Sequence, residues 1–339
     1  MKSKCNIYLI CDYREKFESL ISNSKEKYND HPKYDSIVEI KNIIKNLGYN
    51  CKIFGGVPEL IHAIDTNMSF PNTLFFNFTD GLSQSYSRVQ APILFELLDV
   101  PYSSSGPFAS AVINNKYYTK LAVADIDTLI PPGLLVTNSC PCSQHDIDNL
   151  GYPVIIKPNT EGSSIGITAD SVCFNYKDSK RKIDCLLDSF DEVIVEKYIV
   201  GYDVTNLLIG NDDLAINEAI LIESHGKFLQ TKEVLGLEEK AYKSRKLHMA
   251  EDILSDKLVN VIKEKSKNIK SHLMANDILR IDYRVTEQGD IYFLEANSMP
   301  RISSTSEAGF ICQYKKVPFA SFIEKYLCAV VQRLNMWSS

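Results

Sequence analysis

The sequence lacks the features that mark several large classes of protein. In its 339 residues no apolar run is long enough to cross a bilayer, which argues against a membrane protein. The formal net charge is −6 with both signs scattered along the chain, so no basic footprint for nucleic acid is expected. Residues 1–4 lead directly into a strand-like segment, without the apolar stretch and cleavage site of a signal peptide, and this predicts a cytoplasmic protein.

The nine cysteines follow no pairing pattern. Their number is odd, and Cys5, Cys11 and Cys328 sit in apolar contexts that favour buried, reduced thiols. Cys140 and Cys142 are the one close pair, but neither a second pair nor a nearby histidine completes a zinc site. We therefore expect neither a disulfide framework nor a zinc centre.

What the chain does contain is a regular order of strand-like and helix-like segments. Strands at 6–11, 50–54 and 73–78 are separated by helices at 36–47 and 58–64, and this βαβαβ order predicts a parallel, Rossmann-like sheet. A helix is expected at 89–98, and the prolines and serines of 100–107 then mark a domain boundary near residue 104.

The rest of the chain is a longer region in which helix-like and strand-like segments are mixed. The expected helices lie at 109–124, 143–150, 251–274 and 319–334, and the expected strands at 132–136, 154–157, 193–198, 204–209 and 219–223. The predicted fold class is therefore α/β combined with α+β. The predicted domains are an N-terminal α/β domain at 1–104, a central unit at 105–196 and a C-terminal unit at 197–339.

A hairpin near the C-terminus places oxygen ligands side by side. One strand carries Asp282, the segment 288–290 turns the chain, and the returning strand carries Glu295 and Asn297. Side chains two residues apart share one face of a strand, so two carboxylates and an amide oxygen converge as Mg²⁺ ligands. The alternative is an ordinary exposed hairpin with solvated acids.

Two earlier segments suit a nucleotide. Lys157 ends an apolar strand and precedes a small polar turn at 159–166, where lysine, backbone N–H groups and hydroxyls can approach phosphate. The residue order of a Walker A loop, GxxxxGK(S/T), is absent. The alternative to a phosphate-binding loop at 159–166 is a turn without a ligand. The backbone of the strand that ends in Glu196 and Lys197 can bind the edge of adenine, and Asp203 is placed to bind the ribose hydroxyls. The alternative is that Glu196 and Lys197 form a solvated ion pair.

In this order the motifs resemble the ATP-grasp ligases of the D-alanine:D-alanine ligase type, from about residue 73 to the C-terminus. The similar segments are 100–105 (the family's PYTGS), Asn115 with Lys116 (its first nucleotide-binding lysine), Lys157 with 161–166 (KP…EGSSxG), 196–199 (its adenine hinge), 280–282 with 295–297 (RID…EAN) and 303–306 (TSHS).

The resemblance implies an ATP-grasp fold, ATP as the nucleotide and Mg²⁺ as the metal, with two ions expected and Mn²⁺ as a substitute. The residues implied for the nucleotide are Lys116, Lys157, Ser164, Glu196, Lys197, Ile199, Asp203 and Leu294. The implied metal ligands are Asp282, Glu295 and Asn297, and the implied catalytic residues are Arg280, Ser163, Lys240 and Tyr242. Lys240 and Tyr242 lie in a long basic segment expected to close over ATP, but Ala241 separates them, unlike the family's adjacent KY pair.

The implied reaction activates a carboxylate as an acyl phosphate, which an amine then converts to an amide. Arg280 lies two residues before Asp282 on the same strand face, so it can stabilise both the acyl phosphate and the tetrahedral oxyanion. The alternative for Arg280 is a salt bridge to a neighbouring carboxylate.

The departures from the family fall where substrates bind. The family's N-terminal GGxSxExxVS turn is replaced by a segment with Asp12, Glu15 and Glu18, of which Glu15 is the candidate for the first substrate. The histidine of the family's HGxxGEDG segment is also missing from residues 77–83. Arg301 stands where the family has a glycine, and it is a candidate for recognising an acidic group on the acceptor or intermediate, with a solvent-facing side chain as the alternative. Ser306, in the segment that resembles TSHS, is a further candidate substrate residue.

These departures predict a specialised ligase that joins amino acids or small peptide-like acids, with the cell-wall D-alanine:D-alanine ligase as an alternative. Alternatives of another class are a small-molecule kinase and a non-catalytic ATP-binding regulator. The expected partners are amino acid or carboxylate substrates and, by family habit, a second copy of the chain in a homodimer, but no nucleic acid and no membrane.

Overall fold

A computed structural model describes residues 6–18, 31–82, 85–162, 164–224, 226–230 and 245–336. The helices are α1 (Arg14–Glu18), α2 (Tyr34–Asn46), α3 (Val57–Asp65), α4 (Ser87–Leu97), α5 (Pro107–Asn114), α6 (Lys116–Ala124), α7 (Gln144–Leu150), α8 (Tyr176–Leu187), α9 (Asp256–His272), α10 (Glu307–Tyr314) and α11 (Phe319–Arg333). The strands are β1 (Asn6–Ile10), β2 (Asn50–Gly55), β3 (Thr73–Asn77), β4 (Gly133–Thr137), β5 (Val154–Pro158), β6 (Val172–Cys173), β7 (Glu192–Lys197), β8 (Gly201–Gly210), β9 (Leu214–Ser224), β10 (Leu229–Gln230), β11 (Arg245–Met249), β12 (Ile278–Val285) and β13 (Ile291–Asn297).

The N-terminal strands form the predicted parallel sheet, in the order β2-β1-β3. The core of this sheet continues into the C-terminal part of the chain, because the ring of Phe76 on β3 lies 4.7 Å from that of Tyr326 on α11. Ile7 and Leu9 of β1 belong to the same buried cluster as Phe322 and Tyr326. The two ends of the sequence therefore share one hydrophobic core.

Two further sheets follow along the chain. β4, β7, β5 and β6 form one antiparallel sheet, and β11, β9, β8, β12 and β13 form another, with β10 paired to β8. Residues 198–200 connect β7 of the first sheet to β8 of the second. At the start of β8, a Cβ on Gly201 would lie 2.3 Å from the carbonyl oxygen of Val285, so this connection needs a residue without a side chain.

Some predicted helix boundaries are wrong. The single helix expected at 109–124 is two helices, because Asn115 has extended backbone angles and its side chain accepts a hydrogen bond from the N–H of Tyr118, which makes it the N-cap of α6. α9 begins at Asp256 rather than at residue 251, since Ser255 is its N-cap. α8 and α10 were not predicted, because the buried positions of α8 include the polar Ser179 and Lys182 and those of α10 include Gly309, so apolar residues alone do not outline either helix.

The expectation of buried cysteines is met in part. Cys11 and Cys51 are buried, and burial raises the pKa of each thiol to about 12. Cys328 is exposed, so its predicted burial is wrong: on an amphipathic helix, apolar sequence neighbours do not settle which side faces water. No helix in the described part of the chain is both long and apolar enough to span a membrane.

Candidate active site

The predicted metal-binding hairpin forms from β12 and β13. Asp282 and Glu295 are direct cross-strand partners, and a bulge follows Asp282 before the pairing resumes at Tyr283. Gly289 has a φ of 91° in the connecting turn, a conformation that glycine adopts at little cost. The side chains of Asp282 and Glu295 are 26% and 27% exposed, so both carboxylates are accessible from one side of the sheet.

Arg280 and Thr205 hold the carboxylate of Asp282. The Arg280 guanidinium donates to both carboxylate oxygens at 3.0 and 2.8 Å, and the Thr205 hydroxyl on β8 donates at 2.5 Å. Nη2 of Arg280 also lies 4.0 Å from Glu295. Burial lowers the pKa of Arg280, but Asp282 and other nearby carboxylates outweigh this and raise it. The salt bridge that was the alternative for Arg280 thus exists inside the candidate site itself.

Lys116 reaches the same hairpin from the first turn of α6. Its ammonium lies 3.3 Å from Glu295 and also donates to the backbone carbonyl of Glu161, in the polar loop after β5. Lys116 is buried. It therefore links the loop after β5 to the carboxylate side of the site.

A second ion cluster, which sequence reasoning described only in part, lies beneath the loop. Glu196 on β7 is 1% exposed and pairs with Lys157 at 2.9 Å and with Lys120 at 2.5 Å. Burial by itself would raise the pKa of Glu196, but the two ammonium charges and their hydrogen bonds lower it below its usual range. Burial lowers the pKa of Lys120 to about 8. Lys120 was missed, although its spacing of four residues from Lys116 places it on the same helix face.

The hinge between the two sheets is held by Arg284. Its guanidinium pairs with Asp203 at 2.9 Å, donates to the carbonyl of Ile199 at 2.8 Å and to the hydroxyl of Tyr198 at 3.3 Å. The ammonium of Lys197 donates to the carbonyls of Gly151 and Tyr152 at 2.8 and 3.0 Å. The charged atoms of Asp203 and Lys197 therefore have protein partners in this structure.

The residues at the centre of the predicted site line one cleft. The predicted residues that line it are Lys157, Ser164, Asp203, Arg280, Asp282, Leu294 and Glu295. The lining residues that were not predicted are Ile155, Ile167, Tyr198, Val204, Thr205, Ile222, Arg245, Tyr283 and Arg284. The cleft runs from the sheet of Lys157 to the sheet of Asp282 and Glu295, so residues more than a hundred positions apart in sequence face one space.

The predicted substrate residues occupy less enclosed positions. Arg301 is exposed, and Glu15 is exposed with its carboxylate accepting the N–H of Tyr34 at 3.1 Å. The hydroxyl of Ser306, just before α10, donates to the carbonyl of Ser303 at 2.9 Å. Asp12 is instead buried, where it accepts the hydroxyl of Thr79 and the N–H of Val57, so it serves to hold the N-terminal sheet.

Of the remaining predicted residues, Asn297 ends the same hairpin opposite Arg280 without lining the cleft, and three lie outside the described residues. The side-chain oxygen of Asn297 accepts the N–H of Met299 at 2.9 Å and the guanidinium of Arg88 at 3.4 Å. Ser163, Lys240 and Tyr242 lie outside the described residues.

The donor set of the cleft fits a divalent cation and a phosphate chain. Asp282 and Glu295 supply adjacent, partly exposed carboxylates, which are the hard oxygen ligands that Mg²⁺ prefers. Lys116, Lys157 and Arg280 supply the cationic groups that phosphate oxygens pair with.

The chain is similar to ligases over about two thirds of its length. The D-alanine–D-alanine ligase of Trichlorobacter lovleyi is 29% identical over 237 residues, which cover 70% of this chain and 72% of that protein. The D-alanine–D-alanine ligase of Aquifex aeolicus is 30% identical over 234 residues, with 68% and 74% covered. The vancomycin C-type resistance protein VanC2 of Enterococcus casseliflavus is 27% identical over 237 residues, with 69% and 65% covered.

Solved structures agree with the fold. The D-alanine–D-alanine ligase of Bacillus anthracis complexed with ATP matches with a TM-score of 0.72 over 98% of both chains, at 16% identity. The VanG D-Ala:D-Ser ligase of Enterococcus faecalis matches with a TM-score of 0.71 over 96% of this chain and 99% of that chain, at 20% identity. The predicted ATP-grasp fold with an N-terminal parallel sheet is confirmed.

The family model described as D-ala D-ala ligase C-terminus matches residues 119–328, which is more than half of the chain. That range begins within α6 and ends within α11, so it includes the ion cluster of Glu196, the hinge and the hairpin of Asp282 and Glu295. The chain therefore belongs to the D-alanine–D-alanine ligase family and is an ATP-grasp ligase.

Proposed function

We propose that this protein joins the carboxylate of one amino acid or small peptide-like acid to the amine of another, using ATP and releasing ADP and phosphate. The observation that supports this most is the shared cleft, in which Lys157 faces Arg280, Asp282 and Glu295. Carboxylate activation needs cations around the phosphates and acidic ligands for Mg²⁺ in one place, and this cleft contains both.

In the first proposed step, a carboxylate oxygen of the donor attacks the γ-phosphorus of ATP. The new O–P bond makes an acyl phosphate, while the bond between the γ-phosphorus and its bridging oxygen breaks and leaves the electron pair on ADP. Two anions must approach each other here, so Lys116, Lys157 and Arg280 would act by charge neutralisation. Asp282, Glu295 and Asn297 would hold Mg²⁺, which offsets negative charge on the phosphates when bound.

In the second step, the acceptor amine forms a C–N bond to the acyl carbon, and the C–O bond to phosphate then breaks. The amine loses a proton to solvent or to a base. The tetrahedral intermediate between these events carries an oxyanion, and Arg280 is the cation that we assign to it. Ser163, Lys240 and Tyr242 keep the catalytic roles that the resemblance implies.

The nucleotide base and ribose would lie against the hinge. Ser164, Glu196, Lys197, Ile199, Asp203 and Leu294 keep their proposed nucleotide roles. For Glu196 and Lys197 the contacts favour indirect roles, since Glu196 positions Lys157 and Lys197 holds the backbone at Gly151 and Tyr152.

The substrates are proposed from where the chain departs from its family. The relatives are named as D-alanine–D-alanine ligases, a vancomycin C-type resistance protein and a D-Ala:D-Ser ligase, so small amino acids are the first candidate substrates. Glu15, Arg301 and Ser306 are the proposed substrate residues, and the exposure of Glu15 and Arg301 suits groups that meet a substrate entering from solvent. These departures favour a specialised ligase over the cell-wall D-alanine:D-alanine ligase.

Mass spectrometry of the products tests this proposal. The protein is incubated with ATP, Mg²⁺ and pairs of D- and L-amino acids, and an amide product with equal amounts of ADP and phosphate is expected for at least one pair. A phosphate ester without amide would identify a small-molecule kinase instead. ATP binding with no product from any pair would identify a non-catalytic regulator.

The remaining sequence-based expectations stay proposals. They are the division into units at 1–104, 105–196 and 197–339, a homodimer, a cytoplasmic location, two metal ions and Mn²⁺ as a substitute. For the domain division, the sheets formed by the described residues fall one to each unit, apart from Lys197 at the end of β7, although the core shared by β3 and α11 joins the first unit to the third.

A further inference from the structure

Arg245 contributes a third guanidinium to the lining of the cleft, besides Arg280 and Arg284. Arg245 is the first residue of β11, and it lines the cleft together with Arg280, Asp282 and Glu295. β11 pairs with β9, whose Ile222 lines the same space. Arg245 is therefore held by a sheet strand at the wall of the cleft.

Only some of the N–H donors of the Arg245 guanidinium have hydrogen-bond partners among the described residues. One terminal nitrogen donates to Glu307 at 2.9 Å, and the side chain is 23% exposed. Its Nε is buried and finds no hydrogen-bond partner within the part of the chain that the structure describes. A guanidinium has five N–H donors, and a buried donor left without a partner costs about 1–3 kcal/mol.

Glu307 pairs with Arg245 and also feels the charge of Arg280. Its side chain is 12% exposed at the first position of α10. Burial raises the pKa of Glu307, but the charges of Arg245 and Arg280 outweigh this and lower it to about 2. Arg280 is also paired with Asp282 at 2.8 Å, whereas among the described residues Arg245 forms an ion pair with Glu307 alone and its side chain is 23% exposed, so Arg245 has N–H donors left for an anionic ligand.

We infer that Arg245 is a substrate-binding residue that, with Arg280, holds an oxyanion of the reacting group. This inference rests on the proposed function. Carboxylate and phosphoryl groups each present two oxygens that can accept the paired N–H donors of a guanidinium, and the two groups meet in the first step of the reaction. The guanidinium of Arg245 donates to the bound oxyanion and, in the transition state, its positive charge offsets the negative charge of the attacking carboxylate or of the transferred phosphoryl group.

The test compares Arg245→Ala and Arg245→Lys with the wild-type protein and with Lys246→Ala as a matched control. Lys246 is the next residue on β11, pairs with Glu223 and has a side chain that is 72% exposed. We expect Arg245→Ala to lower kcat/KM by about 100-fold and Arg245→Lys to recover about tenfold of that loss. Lys246→Ala should stay within about twofold of the wild type.

A binding measurement identifies the source of the oxyanion and does not depend on turnover. Inorganic phosphate is titrated by calorimetry into each protein in the presence of ADP and Mg²⁺. Phosphate affinity that falls at least about tenfold in Arg245→Ala indicates contact with the phosphoryl group. An unchanged phosphate affinity with a KM for the donor amino acid that rises about tenfold indicates contact with its carboxylate.

The inference is overturned if Arg245→Ala changes neither phosphate affinity nor any KM or kcat. If the wild-type protein makes no amide, the proposed ligase function fails, while the phosphate titration still tests Arg245. Circular dichroism checks that the alanine variant is folded. If it is not, Arg245→Lys and Arg245→Gln carry the same comparison.

Discussion

Two ion clusters border the cleft, one through Lys157 and the other through Arg280, Asp282 and Glu295, and they differ mainly in their access to water. The inner cluster consists of Lys120, Lys157 and Glu196, whose side chains are 3%, 8% and 1% exposed. The outer cluster consists of Arg280, Asp282 and Glu295, whose side chains are 17%, 26% and 27% exposed. Both clusters contain mutually paired charges. In the outer cluster, a partly exposed group can exchange a protein partner for a ligand. In the inner cluster, the same exchange would leave a desolvated charge without its partner.

This difference indicates separate tasks. Charges removed from water are stabilised by each other, so removing one leaves the rest uncompensated, and Glu196 and Lys120 should act as a fixed structural unit that positions Lys157 at the cleft. Partly exposed pairs contribute little to stability because water competes for each group, so the outer cluster is free to be optimised for binding. Four changes can break or sharpen this comparison.

The largest effect on stability is expected for Glu196→Gln. It leaves Lys120 and Lys157 without their shared carboxylate, and removing one partner from a buried ion cluster typically costs about 3–5 kcal/mol. The loss should be smaller at pH 9 than at pH 6, because Lys120, with its pKa of about 8, can be buried in its neutral form at the higher pH. Urea unfolding at both pH values measures it. A loss below about 1 kcal/mol at pH 6 would show that the cluster is not a structural unit.

The next effect concerns Glu307, which lies beside Arg245 and is nearly as enclosed as the inner cluster. Its pKa falls from 4.5 to about 2 on folding. Because the Glu307 carboxylate binds its proton more weakly in the folded state than in the unfolded state, its charged form stabilises the fold by about 3 kcal/mol above pH 4.5. This contribution is lost as the pH falls toward 2.

Glu307→Gln should therefore reduce the unfolding free energy at pH 7 and have little effect near pH 2. Thermal melting across this range measures the difference between variant and wild type. Glu287→Gln, at an exposed position in the turn between β12 and β13, is the control and should be neutral throughout. A Glu307→Gln difference that did not vary with pH would contradict the ion pairing.

Asp282→Asn tests the outer cluster. We expect kcat/KM to fall by about 100-fold, because the variant keeps the shape of the side chain but loses a charged metal ligand. The free energy of unfolding should change by less than about 1 kcal/mol, since the carboxylate is partly exposed. Steady-state kinetics over a range of Mg²⁺ concentrations, with urea unfolding of the same preparation, measures both quantities. Large stability loss with retained activity would reverse the proposed division of tasks.

The smallest of these effects is expected at the hinge between the clusters. Arg284→Met removes the guanidinium that joins Asp203 to the carbonyl of Ile199, so the wall of the nucleotide cleft should loosen. We expect the KM for ATP to rise by about tenfold with a smaller change in kcat, and Arg284→Lys to restore part of the affinity. The reverse pattern, with kcat lowered and the KM for ATP unchanged, would place the role of Arg284 in the chemical step.

Local patterns in the sequence predicted much of the fold and part of the site. Alternation along the β12 and β13 segments placed Asp282 and Glu295 on one face, and the βαβαβ order predicted the parallel sheet. These succeeded because both depend on the spacing of residues within one short segment. Lys120, Arg245 and Arg284 were missed, because their partners Glu196, Glu307 and Asp203 are far away in sequence. Only Lys120 had a local signal, its spacing from Lys116.

The sequence alone therefore determined the family, the βαβαβ order of the N-terminal sheet and the chemical types of the motif residues, since motifs and periodicity are properties of neighbouring residues. Tertiary structure decided which charges are buried together and which remain accessible. Glu196 and Glu295 both belong to recognisable motifs, yet one is enclosed between two lysines and the other is open to the cleft. Their different roles follow from desolvation, which depends on how distant segments pack and is not encoded at either position alone.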